Sequence, residues 1–216
     1  MPESREPERL RRLLSRRAAD AARALIGCVL VRRHRGRTLE ARIVEAEAYL
    51  GFDDPAAHVY RGPTPRTQPL FGPPGTIYVY FVYGMHHCLN IAVDEPGTPG
   101  CVLIRGAEPL PGSGLDARAL SGPGRLCRAL GIDTRLSGRH LFEPEAPLTL
   151  RAGMPPPRIA VTRRIGINVA QERRLRFCDP ASPAVSASLR PGISLRSGRR
   201  RAKAPRARLT PKRGAP

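Results

Sequence analysis

A chain of 216 residues is long enough for one domain of ordinary size with its own core, and for a tail besides. Its net charge of +19 and pI near 11.3 point to a polyanionic partner, either nucleic acid or an anionic membrane surface. No apolar run has the length of a membrane span and no signal-peptide pattern opens the chain, so a soluble, cytoplasmic protein without a membrane partner is expected, nucleoid-associated if its source is bacterial.

Residues 1–7 are expected to be frayed. From about Glu8 to Ile26, Leu10, Leu13, Leu14, Ala18, Ala21 and Leu25 recur at helical spacing with arginines between them. This predicts a basic amphipathic helix or helix pair, with core packing favoured over a membrane surface and Asp20 able to cap a second segment. After Gly27, Cys28 to Val31 and Leu39 to Tyr49 read as two strands joined by the polar turn His34-Arg35-Gly36. Gly51 and Asp53-Asp54-Pro55 end the second strand, and a short helical turn through Ala56 and Ala57 brings His58 back over it. Gly62 to Gly75, rich in Pro and Gly, reads as an ordered surface loop carrying Arg61, Thr64 and Arg66. Thr76 to Tyr83 and Leu89 to Val93 form a predicted hairpin around Gly84-Met85, and Cys101 to Arg105 a further strand. Ser121-Gly-Pro-Gly124 opens a helix from Arg125 to Leu130. Its exposed amides suit an anion, though a loop opening a helix without one is as common. Past Gly131 strands are expected at Leu148 to Leu150, Ile159 to Thr162 and Leu175 to Phe177. No acid follows Asp179, and residues 191–216 read as a basic, disordered tail dominated from Ser197 onward by Arg, Lys, Pro, Ala and Gly.

The five cysteines (Cys28, Cys88, Cys101, Cys127, Cys178) are odd in number, scattered and mostly inside apolar runs, which predicts buried reduced thiols. The absence of Cys-x-x-Cys removes the zinc deaminase signature. His58, His86 and His87 with Cys88 have no regular ligand spacing, so no metal and no cofactor are expected. The only lysines are Lys203 and Lys212.

Chemistry concentrates between Val44 and Tyr83. On a pleated strand Glu45, Glu47 and Tyr49 share one face, with the two acids roughly 7 Å apart. At that distance one raises the other's pKa and a general base becomes plausible, although strand glutamates are usually solvated and spacing does not decide between the two. All five tyrosines (Tyr49, Tyr60, Tyr78, Tyr80, Tyr83) lie in this window together with Phe52, Phe71 and Phe81. Singly these rings read as half-buried surface residues, but clustered beside acids on a very basic protein they suggest base stacking. In the hairpin, Ile77, Val79 and Phe81 are expected on the core face, and Tyr78 and Tyr80 outward or in a pocket. Tyr83 at its tip is either a loose surface ring or a wedge. Asn90 is either a satisfied strand amide or a probe of a base edge.

Several motifs fall in order: Arg42-Ile-Val-Glu-Ala-Glu-Ala-Tyr-Leu-Gly51, Ala56-Ala-His58, Thr64-Pro-Arg66, Pro74-Gly-Thr-Ile-Tyr-Val-Tyr80, Tyr83-Gly-Met85, Asn90-Ile91, Cys101-Val-Leu-Ile-Arg105 and Ser121-Gly-Pro123. Over roughly Arg17 to Val185 the chain resembles the alkyladenine (3-methyladenine) DNA glycosylase family. The departures are small: Ala46 stands where that family often has Thr, His86-His87 replace a more aromatic pair, and the loop at Arg61 to Pro63 is slightly short. The resemblance implies an α+β fold, a single domain over residues 8–190 with a curved, mostly antiparallel sheet flanked by helices and a protruding hairpin for DNA insertion. It implies Glu47 as the base that activates water, with Arg105 and the backbone carbonyl of Ile165, in Arg164-Ile-Gly-Ile167, holding that water. Tyr49 and His58 would stack on one side of an extruded base and Tyr80 on the other, Asn90 would clash with the exocyclic amine of guanine, and Tyr83 would fill the gap in the duplex. Thr64 and Arg66 would contact the DNA backbone. Glu45 has no role beyond support of Glu47. The implied activity is monofunctional hydrolysis of the N-glycosidic bond of damaged purines in double-stranded DNA by a monomer. Two rival readings are a non-catalytic nucleic-acid-binding protein, which leaves the acids and clustered tyrosines unexplained, and an RNA-modifying or RNA-cleaving enzyme.

Overall fold

The computed structural model describes residues 5–186. Its organising strand is β2, Arg37–Tyr49, which follows β1, Val29–His34, through a turn in which Arg35 and Gly36 both take positive φ. Two such residues match the right-handed twist of the flanking strands. After β2 come β3 (Ile77–Val82), β4 (His86–Val93), β5 (Gly100–Pro109), β6 (Leu148–Arg151), β7 (Ala160–Thr162) and β8 (Arg176–Cys178). All pairings among the described residues are antiparallel. They build one curved sheet in the order β3-β4-β5-β2-β1-β6, with β8 added to β2 and β7 to β8. The fold is α+β, as expected.

Among the described residues three α-helices accompany the sheet: α1 (Arg5–Leu14), α2 (Ala18–Leu25) and α3 (Pro123–Ala129). The apolar residues at helical spacing do pack inward, Leu10, Leu14, Ala18, Ala21 and Leu25 all joining the main core. The helix pair starts at Arg5, so Arg5 to Pro7 are helical rather than frayed, and residues 1–4 lie outside the described residues. Asp20 sits in the first turn of α2 and not at its N-cap, which is Arg17, a residue without a capping side-chain bond. There the carboxylate complements the helix dipole instead of accepting a terminal amide. The loop of residues 62–75 holds a 3-10 helix, Pro65–Phe71, with Thr67 and Leu70 buried. Its prolines read as loop residues in the sequence, yet Pro65 suits the first helical position. The tail of residues 191–216 lies outside the described residues.

A β-bulge decides what β2 presents to each side. Leu39, Ala41 and Ile43 face the main core at odd positions, yet so do Ala46 and Ala48 at even ones. Strict alternation would put Glu45 and Glu47 on the face of Ile43, inside the apolar core. The register against β5 shifts between Ile43 and Glu45 and again before Ala46, and one extra residue turns every later side chain to the other face. Glu45, Glu47 and Tyr49 therefore share the opposite face, as the strand periodicity predicted. A smaller core lies on that face, where Ala57, Val59 and Leu70 from the loops pack on Tyr78, Ala92 and Cys101 from the sheet, with Tyr49 and Tyr80 at its margin. Phe81 departs from expectation. It is 48% exposed beyond the edge of the main core and packs on His87 with ring centroids 4.9 Å apart. The five cysteines are buried and free, as predicted.

Candidate active site

Glu45 and Glu47 are both fully buried despite their charge. The reason is their strand: β5 runs along one side of β2, and β8 pairs on the other with Glu45, Ala46 and Glu47. Such acids need partners. Glu47 accepts the Ile165 N–H at 2.8 Å, the Tyr49 hydroxyl at 3.1 Å and Arg105 Nη1 at 3.4 Å. Glu45 accepts Arg105 Nε at 3.1 Å, Arg176 Nε at 2.7 Å, the Ser186 amide at 2.6 Å and the Ser186 hydroxyl at 2.9 Å. Arg105 thus lies between the two carboxylates. Gly106, the partner of Glu45 in the ladder, keeps this approach open, because a Cβ there would stand 2.7 Å from the Ala184 carbonyl oxygen and 3.2 Å from Glu45 Cβ.

The two acids titrate in opposite directions. Burial pushes Glu47 above the ordinary carboxylate range; Arg105 and the Ile165 amide offset only part of this and Glu45 adds to it. Burial acts on Glu45 too, but Arg105, Arg176 and the Ser186 amide outweigh it and hold Glu45 low. One carboxyl of raised proton affinity beside a firmly ionised one is the pattern of a general base and its support. Sequence spacing left the two equivalent, and the electrostatics separate them.

A cleft of about 580 Å³ opens over this face, within the size range of small-molecule sites. It brings together Tyr49, His58, Tyr80, Tyr83, Asn90, Arg105 and Ile165. His58 Nδ1 meets the Tyr78 hydroxyl at 3.0 Å, and the His58 ring lies against Tyr80 with centroids 4.5 Å apart, edge to face. His58 is held below its usual pKa by burial first and Arg66 second, so its ring is neutral at pH 7. A flat base between two rings needs them roughly 7 Å apart, so a base entering between His58 and Tyr80 would have to part them. Tyr49 comes from β2, its hydroxyl on Glu47 and the Arg164 guanidinium 4.7 Å from its ring centroid. Asn90 donates its amide to the carbonyls of Tyr78 at 3.2 Å and Cys88 at 3.3 Å, so it is a satisfied strand amide and a cleft residue at once.

Tyr83 stands at the hairpin tip, 81% exposed, with φ of 55°. Thr64 and Arg66 are already engaged: Thr64 caps the Pro65–Phe71 helix through reciprocal bonds with Thr67, and the Arg66 guanidinium is 5.2 Å from the ring centroid of the cleft residue Tyr80. Sequence reasoning missed Asp54, Arg176 and Ser186. Asp54 looked like part of a turn signal, and nothing local marks Arg176 or Ser186, which reach Glu45 from 131 and 141 residues away.

Comparison with known proteins supplies the family. Residues 12–183 match the model of the methylpurine-DNA glycosylase family. A protein of Myxococcus xanthus is 46% identical over 158 residues, covering 72% of this chain and 80% of its own length. One of Synechococcus elongatus is 47% identical over 176 residues, covering 81% and 88%, and one of Chlorobaculum parvum 43% over 177 residues, covering 77% and 85%. All three are provisionally named 3-methyladenine DNA glycosylase. The chain belongs to the methylpurine-DNA glycosylase family and is, as a class, a DNA glycosylase, an enzyme of DNA repair. That sets aside the non-catalytic binding protein. Among the described residues no helix is long and apolar enough to cross a membrane.

Proposed function

We propose that the protein flips an alkylated or deaminated purine out of duplex DNA into the cleft and hydrolyses its N-glycosidic bond, leaving an abasic site in an uncut strand. The observation that carries this reading is Glu47, a fully buried carboxylate of raised proton affinity beside a cleft walled by aromatic rings. A duplex hides C1′, so the nucleotide must leave the stack, at a cost of a few kcal/mol that is smaller for damaged or mispaired bases. Tyr83 offsets part of that cost by occupying the vacated stack. Tyr49 and His58 stack on one side of the base and Tyr80 on the other, with the His58 and Tyr80 rings parting to admit it. A cationic lesion such as 3-methyladenine gains roughly 0.5–2 kcal/mol per well-placed ring over a neutral base. The neutral His58 adds no repulsion to that cation. Asn90, pinned by two strand carbonyls, cannot turn aside for the exocyclic amine of guanine.

Glu47 takes a proton from water as the water attacks C1′, and its charge stabilises the oxocarbenium-like transition state. Arg105 and the Ile165 carbonyl hold the water, and the cationic purine departs as a good leaving group. Strand cleavage through a Schiff base needs an amine, and both lysines, Lys203 and Lys212, belong to the C-terminal tail. Hypoxanthine and ethenoadenine are further candidate substrates, Thr64 and Arg66 candidate DNA-backbone contacts, and a monomer the working state.

The test is single-turnover release of base from duplexes carrying 3-methyladenine or hypoxanthine. Wild type should release base and leave the strand intact, and Glu47→Gln should be slower by about a hundredfold or more. Unchanged release by Glu47→Gln would sink the mechanism, and base-directed cutting of RNA in place of DNA would favour the RNA enzyme.

A further inference from the structure

Asp54 and Arg164 are 110 residues apart in sequence, and their side chains are fully buried together. Arg164 grips the Asp54 carboxylate with both terminal nitrogens, Nη2 to Oδ1 at 2.8 Å, while Nη1 also donates to the Ala48 carbonyl at 3.0 Å. Asp54 accepts in turn the amides of Leu50 and Ala56, each at 3.2 Å. One ion pair thereby joins the end of β2 under Tyr49, the loop that returns His58, and the segment whose next residue, Ile165, donates to Glu47. Arg164 Nε is buried without a partner, so the guanidinium is placed to satisfy its neighbours more fully than itself.

We infer that Asp54 and Arg164 are positioning residues, a latch that holds the His58 loop and the Ile165 amide against Glu47 in the geometry that hydrolysis needs. The inference rests on Glu47 being the base. Its consequence runs through the proton affinity of Glu47, since the Ile165 N–H is one of the groups that favour the ionised form. The other groups acting on Glu47 are Glu45 and Tyr49 on β2 and Arg105 on β5, with Cys88 on β4 and Arg176 and Cys178 on β8 nearby. Of these, Tyr49 is in contact with the latch, through the Arg164 guanidinium 4.7 Å from its ring centroid, and the charge of Arg164 itself also acts on Glu47, so Arg164→Lys is chosen to keep that charge.

Two substitutions separate positioning from direct electrostatics by sign. Asp54→Asn removes a negative charge, which acting through space would make Glu47 easier to ionise and move the acidic limb of the excision rate to lower pH. Breaking the Ile165 hydrogen bond moves that limb to higher pH. Arg164→Lys keeps the charge and loses the fork. We expect both variants to shift the limb upward by about one pH unit, a position that does not depend on how much of the sample is folded. The limb unmoved or lowered overturns the latch. Arg42→Gln, which removes the part-buried pairs to Glu108 and Asp179, is the control for general destabilisation. It should lower the Tm and leave the limb in place, and an equal upward shift there also overturns the inference. Amide hydrogen exchange of Ile165 keeps this test distinct from the role of Glu47. Exchange should quicken about tenfold or more in both latch variants; unchanged exchange refutes the latch, whereas a wild-type rate without any acidic limb refutes Glu47 as the base and leaves the exchange result to decide the hydrogen bond.

Discussion

At the scale of single residues, two glutamates two positions apart on one strand carry opposite consequences for stability. Glu47 has a raised pKa, so the folded state holds its proton more tightly than the unfolded state and stability falls as pH rises through the carboxylate range. Glu47→Gln should therefore be at least as thermally stable as wild type at pH 7 while losing excision, the signature of a group kept at a cost to the fold. Glu45 is depressed, so its contribution is present above the unfolded carboxylate pKa and is lost as pH falls through its folded value. Glu45→Gln leaves Arg105 and Arg176 short of a buried counter-charge and should destabilise by about 3–5 kcal/mol at pH 7, fading toward low pH. It should lose less activity than Glu47→Gln. Thermal melts of both variants against pH check the pair; a Glu47→Gln melt well below that of wild type at neutral pH would contradict the opposite signs.

At the scale of elements, the β3–β4 hairpin carries the sharpest local conflict between structure and residue type. Tyr83 and Gly84 take φ of 55° and 67° in succession. Glycine does so freely, whereas a bulky side chain in the left-handed region is strained by about 1–2 kcal/mol. The ring is 81% exposed, so burial gives little in return, and the proposed wedge role can be tested by removing it. Tyr83→Gly should leave the Tm equal or higher and slow excision from fully paired duplexes. It should slow excision much less where the lesion sits in a mismatch that already weakens its stacking. Equal losses on both substrates would show that the ring does not act as a wedge. The bulge in β2 is the other decisive element, since it seats Ile43 and Ala46 in one core and turns Glu45 and Glu47 to the opposite face.

At the scale of the whole molecule, charge and chemistry separate along the chain. The face that carries the cleft is assembled from β2, β3, β4, β5 and the loops around them. Much of the positive charge lies after Asp179, where no acid occurs, and eight basic residues follow Ser197. If that stretch is a phosphate-binding arm, truncation at Ser197 should weaken DNA binding and flatten its salt dependence, by about one unit of slope for each phosphate that is no longer neutralised, with saturated single-turnover excision unchanged. Affinity measured from low to physiological salt checks this, and equal slopes would remove the tail from DNA binding.

Sequence alone determined the helix pair, the hairpins, the buried thiols and the shared face of Glu45, Glu47 and Tyr49, because each follows from periodicity or turn chemistry within a few residues. Its ordered motifs also pointed to the glycosylase family, and with it to the residues that line the cleft. Tertiary structure decided the rest. It separated the two glutamates, since their difference comes from Arg176 on β8 and Ser186 beyond it, both more than a hundred residues away from Glu45. It brought the His58 ring against Tyr80, exposed Phe81 beyond the core, and paired Asp54 with Arg164. A local pattern specifies which way a side chain points from its own strand, but the charge that meets it there depends on which distant segment the fold brings alongside.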